Sequence, residues 1–389
     1  MDQKVDGGRL ASLDILRGLD IFFLTVLSGL IVKFGKFVKL PKWLMDQLVH
    51  PAWEGFTAYD MIMPLFIFMC GAALPLALPK RLGPDGRAGW TYWRHVLSRV
   101  ALLWGLGLFV QGELLSFDLH RISFFNNTLQ TIAVGYLAAA GVMLIRRRWV
   151  RIAIPFALAA VYTAFLHLCG DMTPTGNAAV VYEVKFLSLF YPDATWHPVS
   201  QISSWHYTWW TTVPMFAVMG LAGFHATKIL LSGLPKPKRA AAMALCGIGL
   251  LALGAALSTF DPVVKHIFTA SFTSYAMGVS FLLYALSYWL FDIVSIRRGT
   301  WLLRLFGQRS LLAYVLSCSM LASVLSTAAA LPLSAGGKMG EKGLSRFFVP
   351  ETHGFLRGLV SAAILVFVLW LWSEYRRLRR NAAAAPEGR

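Results

Sequence analysis

The chain has 389 residues, of which 57% are hydrophobic and only 14% are charged, and its formal net charge is +17. Soluble domains carry about a quarter charged residues, so this composition excludes an ordinary soluble protein. Apolar windows of the roughly 20 residues needed to cross a bilayer recur along the chain, whereas the short alternating segments of a β-barrel are absent. We therefore expect an all-α, polytopic transmembrane helix bundle.

The apolar windows, taken in chain order, predict about 10 transmembrane helices. They cover roughly 13–33, 57–79, 94–112, 126–145, 150–168, 208–227, 240–258, 266–292, 305–331 and 356–375. Pro- and Gly-containing segments separate them, and no linker is long enough to divide soluble domains. We predict one transmembrane domain over residues 1–380 and a disordered, Ala-rich tail over 381–389.

The Lys and Arg residues predict the orientation, because short cytoplasmic loops are enriched in cations. With an even number of spans both termini lie on one side, and most of the cations fall on that side. This places the N and C termini in the cytoplasm, in a multi-pass protein of the bacterial inner membrane. It also explains the positive charge better than a nucleic-acid partner does, so we expect the lipid bilayer and no nucleic acid as partners.

Ionisable residues within the spans are candidates for function, because they are costly in a bilayer. In the first span, Asp14, Arg17 and Asp20 recur every third residue and share one helical face. They suit either a structural ion pair near the cytoplasmic end or a binding role. The four cysteines show no CxxC spacing, and no metal site is predicted.

A second polar group is expected at the extra-cytoplasmic ends of the next spans. His50 precedes span two and Asp60 lies in its opening turn, where the helix dipole alone would favour a carboxylate. The other members of the group are Gln111, Glu113, Asn126, Asn127 and Gln130. If the helices pack together, these side chains converge on one outward-facing cavity. The aromatic loop 169–207 beside them suits either sugar stacking or an interfacial aromatic belt.

Two motifs carry a family resemblance. Residues 9–18 read RLASLDILRG, and residues 50–78 read HPAWEGFTAYDMIMPLFIFMCGAALPLAL, of which 50–71 hold the signature positions. Together they resemble the heparan-α-glucosaminide N-acetyltransferase family and its bacterial relatives of unassigned function. Weaker matches are LQTIAVGY at 129–136, KHIFTASF at 265–272 and FGQRSLLAY at 306–314. The resemblance covers nearly the whole chain, and the motif at 50–71 is the specific one.

The resemblance implies an enzyme that moves an acetyl group from cytoplasmic acetyl-CoA to an amino sugar or other glycan across the membrane. It implies His50 as the catalytic histidine, and we expect Asp60 to orient the ring or the acceptor. The expected acceptor-binding residues are Trp53, Glu113, Asn126, Asn127 and Gln130. The expected acyl-CoA-binding residues are Arg17, Asp14 and Arg94, although cations at that face also suit a purely topological role.

Three positions depart from related patterns. Pro51 follows His50 where the family usually has alanine, and Thr131 stands where arginine commonly follows the glutamine. The second departure weakens any inference that this chain uses the same acceptor as that family. A broader class of acyltransferases has a histidine eleven residues after the arginine of its LDxLRG motif, where this chain has Ser28.

Two alternative functions stay open: a transporter or flippase for a sugar or lipid-linked sugar, and a catalytically idle membrane scaffold. The transporter is disfavoured because the sequence shows no internal repeat and no matched pair of interrupted helices. The sequence does not decide the acceptor, the acyl chain or whether the protein forms a homo-oligomer.

Overall fold

A computed structural model describes residues 10–111, 122–191, 197–317, 327–328, 330–333 and 352–384. Within these ranges the chain is helical and contains no β-strand. Its helices are α1 (Ala11–Phe22), α2 (Ser28–Val38), α3 (Lys42–Asp46), α4 (Ile62–Ala77), α5 (Trp90–Gln111), α6 (Thr128–Met143), α7 (Arg148–Cys169), α8 (Ala178–Ser188), α9 (His197–Trp205), α10 (Val213–Leu230), α11 (Lys236–Leu257), α12 (Ala270–Tyr288), α13 (Trp301–Gln308), α14 (Ser310–Ser317) and α15 (His353–Ala384). A 3₁₀ turn at Ala58–Met61 precedes α4, and π-helical turns at Phe23–Leu27 and Trp289–Ile293 follow α1 and α12.

Seven helical segments of the described chain are long and apolar enough to cross a membrane. They are Ala11–Lys36, Ala58–Ala77, Arg148–Cys169, Val213–Leu230, Lys236–Leu257, Ala270–Ile293 and His353–Arg379. Helix α6 is apolar but shorter than these segments. The predicted span 305–331 is described up to residue 317, and most of its remaining residues lie outside the described part of the chain. The helical, multi-pass architecture expected from the sequence is confirmed, while the count of ten spans and the side of the termini stay predictions.

The chain divides into two compact units: Met1–Leu13 with Val49–Ile296, and Asp14–Leu48 with Arg297–Arg389. The prediction of one domain over 1–380 made no such division. At the C-terminus, α15 continues to Ala384, so the first four residues of the predicted tail 381–389 are helical. The remaining residues of that tail lie outside the described part of the chain.

Helix α10 is the centre of the first unit, where it packs against α4, α6, α7, α11 and α12. The close crossings are made by glycines. A Cβ atom at Gly71 would lie 1.8 Å from the carbonyl oxygen of Gly220, and one at Gly135 would lie 2.6 Å from Ile67. Without such small residues the helix backbones could not approach so closely, which is a common feature of membrane helix packing.

Hydrogen bonds join the starts of α4, α6, α10 and α12 to one another or to the ends of α5, α7 and α11, so successive long helices of the first unit run in opposite directions and the unit has two different ends. At one end, α4, α6, α10 and α12 begin while α5, α7 and α11 finish, and the candidate site lies there. At the other end lie cations of the helix ends and of the segments next to them: Lys80, Arg81, Arg146, Arg147, Arg148, Arg151, Lys228, Lys236, Lys238 and Arg239. We call these the site end and the basic end.

In the second unit, the part of α1 from Asp14 onward packs directly on α13. A Cβ atom at Gly18 would lie 1.7 Å from the carbonyl oxygen of Leu303, and one at Gly307 would lie 1.8 Å from that of Asp14. The rings of Phe22 and Phe306 meet edge to face, 5.3 Å apart. The two glycines thus fix the close approach of these helices.

Candidate active site

The loop before α4 is joined to the loop before α12, although more than 200 residues separate them. The backbone N–H of Gly55 donates to the carbonyl of Val263 at 2.9 Å, and Glu54 forms an antiparallel bridge with Val264. Gly55 has φ +143°, which disfavours other residues, and a Cβ there would lie 2.9 Å from Pro51. This junction holds Lys265 beside the helix that carries Asp60.

Asp60 caps the helical turn that leads into α4. Its Oδ2 accepts hydrogen bonds from the backbone N–H of Thr57 at 2.9 Å and from the Thr57 hydroxyl at 3.0 Å. The two residues form a capping box, which satisfies N–H groups that a helix N-terminus leaves without partners. Asp60 is fully buried. Because two hydrogen bonds hold Oδ2, the other carboxylate oxygen, Oδ1, also has a fixed position.

His50 binds that second oxygen, with its Nδ1 atom 2.6 Å from Asp60 Oδ1. A carboxylate only accepts hydrogen bonds, so Nδ1 carries the proton and Nε2 keeps its lone pair in the neutral ring. The His50 side chain is 37% exposed while that of Asp60 is fully buried. Asp60 therefore fixes the orientation of the imidazole ring, and Nε2 is the nitrogen with a lone pair available for chemistry.

Lys265 completes the cluster. Its Nζ lies 3.2 Å from Asp60 Oδ1, and 3.2 and 3.4 Å from Nδ1 and Nε2 of His50. Nζ is almost equidistant from the two ring nitrogens, so it does not lie along the lone-pair direction of either one. The well-directed hydrogen bond of the ammonium is therefore the one to the Asp60 carboxylate. Burial lowers the pKa of Lys265 to about 8, although the charge of Asp60 and its hydrogen bond raise it.

Aromatic rings surround this cluster. His266 stacks on Trp53 with ring centroids 5.4 Å apart and contacts Tyr207 at 4.3 Å. Burial lowers the pKa of His266 to about 4, helped by the charges of His50 and Lys265. Burial and the nearby Asp60 raise the pKa of Tyr207 above its usual range. At neutral pH, His266 is therefore uncharged and Tyr207 keeps its proton.

Tyr207 also lines a cavity of about 630 Å³ at the same end of this unit. Most of the lining is aromatic, and its polar side chains include Gln111, Asn126 and Gln201. The aromatic members are Trp104, Phe124, Phe125, Phe186, Phe190, Tyr191, Trp205, Tyr207, Trp209 and Trp210. Flat rings with a few polar groups suit a ligand that has both apolar faces and hydrogen-bonding edges, as many small-molecule sites do.

Glu183 supports one wall of this cavity. Its buried carboxylate accepts hydrogen bonds from the backbone N–H groups of Trp209 and Thr211 and from the Thr211 hydroxyl, at 2.7 to 3.1 Å. Burial raises the pKa of Glu183, and these bonds oppose the increase. The carboxylate thus anchors the segment that carries Trp209 and Trp210.

The predicted acceptor residues separate into groups. Trp53 lies in the site, where its indole N–H donates to the carbonyl of Met172 at 2.9 Å and its ring stacks on His266. Asn126 lines the cavity and accepts a hydrogen bond from Gln111. Asn127 and Gln130 instead form the capping box of α6, which gives them a structural task. Glu113 lies outside the described residues.

The predicted acyl-CoA residues lie elsewhere. Asp14 and Arg17 face each other across one turn of α1, with 3.8 Å between Oδ1 and Nη1, and both belong to the second unit. Arg94 is exposed in the first turn of α5, towards the basic end of the first unit. Their assignment to the donor stays a prediction.

Sequence reasoning missed three residues of the site end: Lys265, His266 and Glu183. Lys265 and His266 stand in the segment KHIFTASF, where a lysine directly before an apolar span is an available signal. The sequence does not show that this segment contacts the His50 loop. No spacing pattern indicates Glu183, whereas Tyr207 belongs to the aromatic loop 169–207 named from the sequence.

The same unit contains a second aspartate–histidine pair. His167 Nε2 lies 3.1 Å from Oδ1 of Asp261, which is fully buried and also accepts from the backbone N–H of Ser271 at 2.9 Å. The His167 side chain is 31% exposed. This pair provides an internal reference for the His50 pair.

The geometry of the site end defines the class of protein: a helical, multi-pass membrane protein with an exposed histidine held by a buried acid. Comparison with known families adds one match, because residues 9–112 are similar to a family described as a domain of unknown function, DUF5009. That stretch contains Trp53, His50 and Asp60 but not Lys265. No curated protein matches the chain.

Proposed function

We propose that the protein is a transmembrane acyltransferase that transfers an acetyl or other acyl group from cytoplasmic acyl-CoA to an amino sugar or other glycan outside the cytoplasm. The observation that carries the proposal is the His50–Asp60 pair, in which a fully buried acid holds Nδ1 of an imidazole whose side chain is 37% exposed. The resemblance of residues 9–18 and 50–71 to the heparan-α-glucosaminide N-acetyltransferase family supports the same activity.

The chemistry assigned to His50 is proton transfer or covalent catalysis. As a general base, Nε2 takes the proton from the acceptor amine or hydroxyl while that atom attacks the thioester carbonyl; the C–S bond then breaks and CoA leaves as the thiolate, which can take the proton back from the ring. As a nucleophile, Nε2 attacks the carbonyl itself, the thiolate of CoA leaves, and the acceptor then takes the acyl group from the ring. In both routes Asp60 fixes the tautomer and stabilises the positive charge that forms on the imidazole.

Lys265 is assigned a positioning role. Its ammonium balances the charge of the buried carboxylate, which would otherwise be costly to hold away from water. Its distance of 3.4 Å from His50 Nε2 also places a cation close to where the oxyanion of a tetrahedral intermediate forms. The same ammonium group thus stabilises the buried carboxylate and serves the proposed reaction.

The cavity lined by aromatic residues is the proposed acceptor site. It shares Tyr207 with the ring cluster around His50, and Gln111, Asn126 and Gln201 supply hydrogen-bonding groups for sugar hydroxyls. The positive-inside rule assigns the basic end of this unit to the cytoplasm, and hence the site end to the opposite side. Acyl donor and glycan acceptor then approach the histidine from opposite sides of the membrane.

The proposal is tested with purified protein in liposomes, with acetyl-CoA and glucosamine as the probe substrates. Release of free CoA that requires both the protein and the amino sugar is the expected result, together with acetylated sugar by mass spectrometry. Thermal stabilisation by acetyl-CoA alone is also expected, because a ligand that binds only the folded state raises its stability. Sugar uptake in the absence of any acyl donor, with no CoA release, would overturn the proposal in favour of a transporter.

A further inference from the structure

A long groove runs along the first unit between α7 and α11, with α10 and α12 as its floor. Its volume is about 1420 Å³, which exceeds the ~300–1,000 Å³ of most small-molecule pockets. The groove follows α7 from Arg148 at the basic end to His167 near the site end. The 19 residue steps from Arg148 to His167 rise about 28 Å, close to the roughly 30 Å thickness of a hydrocarbon core.

The walls of the groove are mostly apolar, and those of α7 and α11 include several small side chains. On α11 the lining residues recur at helical spacing: Ala242, Cys246, Gly249, Leu253 and Leu257. The facing wall of α7 includes Pro155, Ala159, Ala160 and Ala164. Small residues on facing helices leave a channel wide enough for hydrocarbon chains, and the apolar walls make hydrocarbon a favourable occupant.

The basic end of the groove has a different chemistry. Arg148 and Arg151 of α7 and Lys228 of α10 line it there, and no acidic residue is among the lining residues that the structure describes. The ring nitrogen Nε2 of His225 donates to the backbone carbonyl of Arg151 at 3.0 Å, which fixes the two helices relative to each other at this point. The hydroxyl of Ser232, also in the lining, is buried and has no hydrogen-bond partner among the described residues.

We propose that this groove binds an anionic phospholipid, with its acyl chains between α7 and α11 and its phosphate on Arg148, Arg151 and Lys228. The apolar walls alone would accept any lipid. The three cations match a phosphate, which offers negative charge and hydrogen-bond acceptors for their N–H groups. Basic pockets between transmembrane helices on the cytoplasmic side bind anionic headgroups in the same way.

Two features separate this site from a general excess of cations at the basic end. Arg146 and Arg147 directly precede α7 and are exposed, but neither lines the groove. Lys236, at the start of α11, is likewise exposed and absent from the lining. These three residues provide a control with the same number of cations at the same end of the unit.

The test compares phosphatidylglycerol with phosphatidylcholine of identical acyl chains, added to the delipidated protein in detergent. Native mass spectrometry and thermal stability should both show preferential binding of phosphatidylglycerol. The variant R148Q/R151Q/K228Q should lose this preference, with affinity for phosphatidylglycerol falling roughly 100-fold because each cation near an anionic headgroup contributes about fivefold. The control R146Q/R147Q/K236Q should keep the preference.

A second variant tests the apolar part of the site. A Cβ atom at Gly249 meets nothing within 4 Å, so a side chain can begin there, and Gly249→Trp should place an indole in the groove; circular dichroism checks that the variant folds. It should reduce binding of both lipids, whereas Gly105→Trp on α5, an equally open position outside the groove, should not. Equal binding of the two lipids by the wild type, equal losses in both triple variants, or stabilisation by acyl-CoA but not by phosphatidylglycerol would each overturn the proposal.

Discussion

The first unit contains two aspartate–histidine pairs whose local geometry is nearly the same. In both, the aspartate is fully buried and accepts a backbone N–H near a helix start, and the histidine side chain is about one third exposed. The His50 pair adds the buried Lys265 and the rings of Trp53, Tyr207 and His266. The His167 pair instead faces the long apolar groove.

This difference shows that an acid holding a histidine does not by itself make an active site. In each pair the aspartate satisfies N–H groups near a helix start, which is a structural task that many buried carboxylates perform. What distinguishes the His50 pair is its surroundings: a counter-charge for the acid and a neighbouring cavity with polar edges. The proposed function therefore rests on the His50 pair, and a structural role is expected for the His167 pair.

The largest expected effect separates the two histidines directly. His50→Ala should lower acyl transfer by roughly 10²–10⁴-fold, the range that a lost general base gives, while His167→Ala should leave the rate within about twofold. CoA release in liposomes measures both. A fully active His50→Ala protein, or an equal loss in the two variants, would remove the reason for assigning chemistry to His50.

The two aspartates give the next contrast. Asp60→Asn should lower the rate at least tenfold, because an amide no longer holds the ring as a carboxylate does, and should cost about 3–5 kcal/mol of stability because Lys265 is left as an unpaired buried charge. Asp261→Asn should spare activity. Thermal unfolding and CoA release are the measurements.

The charge-balanced variant D60N/K265M sharpens this contrast. It removes both charges of the buried pair, so it should regain much of the stability that Asp60→Asn loses, while transfer stays impaired. If stability does not recover, Lys265 is not the buried charge responsible. If activity recovers with stability, the carboxylate only serves the fold, as Asp261 does.

The aromatic surroundings of the His50 pair predict a pH effect. His266 has a pKa of about 4 in the folded protein, below the histidine value of about 6.5 in an unfolded chain. Between these two values the unfolded chain binds a proton that the folded protein does not, so stability falls as pH drops from 6.5 to 4. His266→Phe should flatten this part of the curve of melting temperature against pH. An unchanged slope would contradict the assignment.

The smallest expected effect concerns the acceptor cavity, which adjoins the first pair through Tyr207. Trp205 is 70% exposed and lines that cavity, so Trp205→Ala should raise KM for the acceptor by about 3–10-fold with little change in kcat, as loss of one aromatic contact would. Trp149→Ala, equally exposed at the start of α7, is the matched control. A change in kcat alone would place Trp205 outside the acceptor site.

The helical architecture followed from the apolar windows, and several windows match helices closely. The window at 150–168 corresponds to α7, and the one at 240–258 to α11. Such segments can be read from sequence because a membrane span satisfies its backbone within one continuous stretch. The division into two units could not be predicted, since it depends on which helices pack together rather than on where they begin and end.

The candidate site was predictable only in part. His50 and Asp60 lie ten residues apart, so their meeting within one loop and turn was expected. Lys265 is 215 residues from His50 and reaches it only because Gly55 pairs with Val263. Asn127 and Gln130 were expected to bind the acceptor on account of their polarity, yet they cap α6; sequence alone does not distinguish a polar residue that serves a helix end from one that faces a ligand.

The sequence by itself determined the class of this protein, its helices and the loop that carries His50, because hydropathy and local motifs act over short stretches of chain. The tertiary structure decided which charges and rings stand beside that histidine, and it revealed the groove between α7 and α11. Both depend on contacts between residues far apart in the chain. Such contacts are set by packing and are not encoded in any single segment.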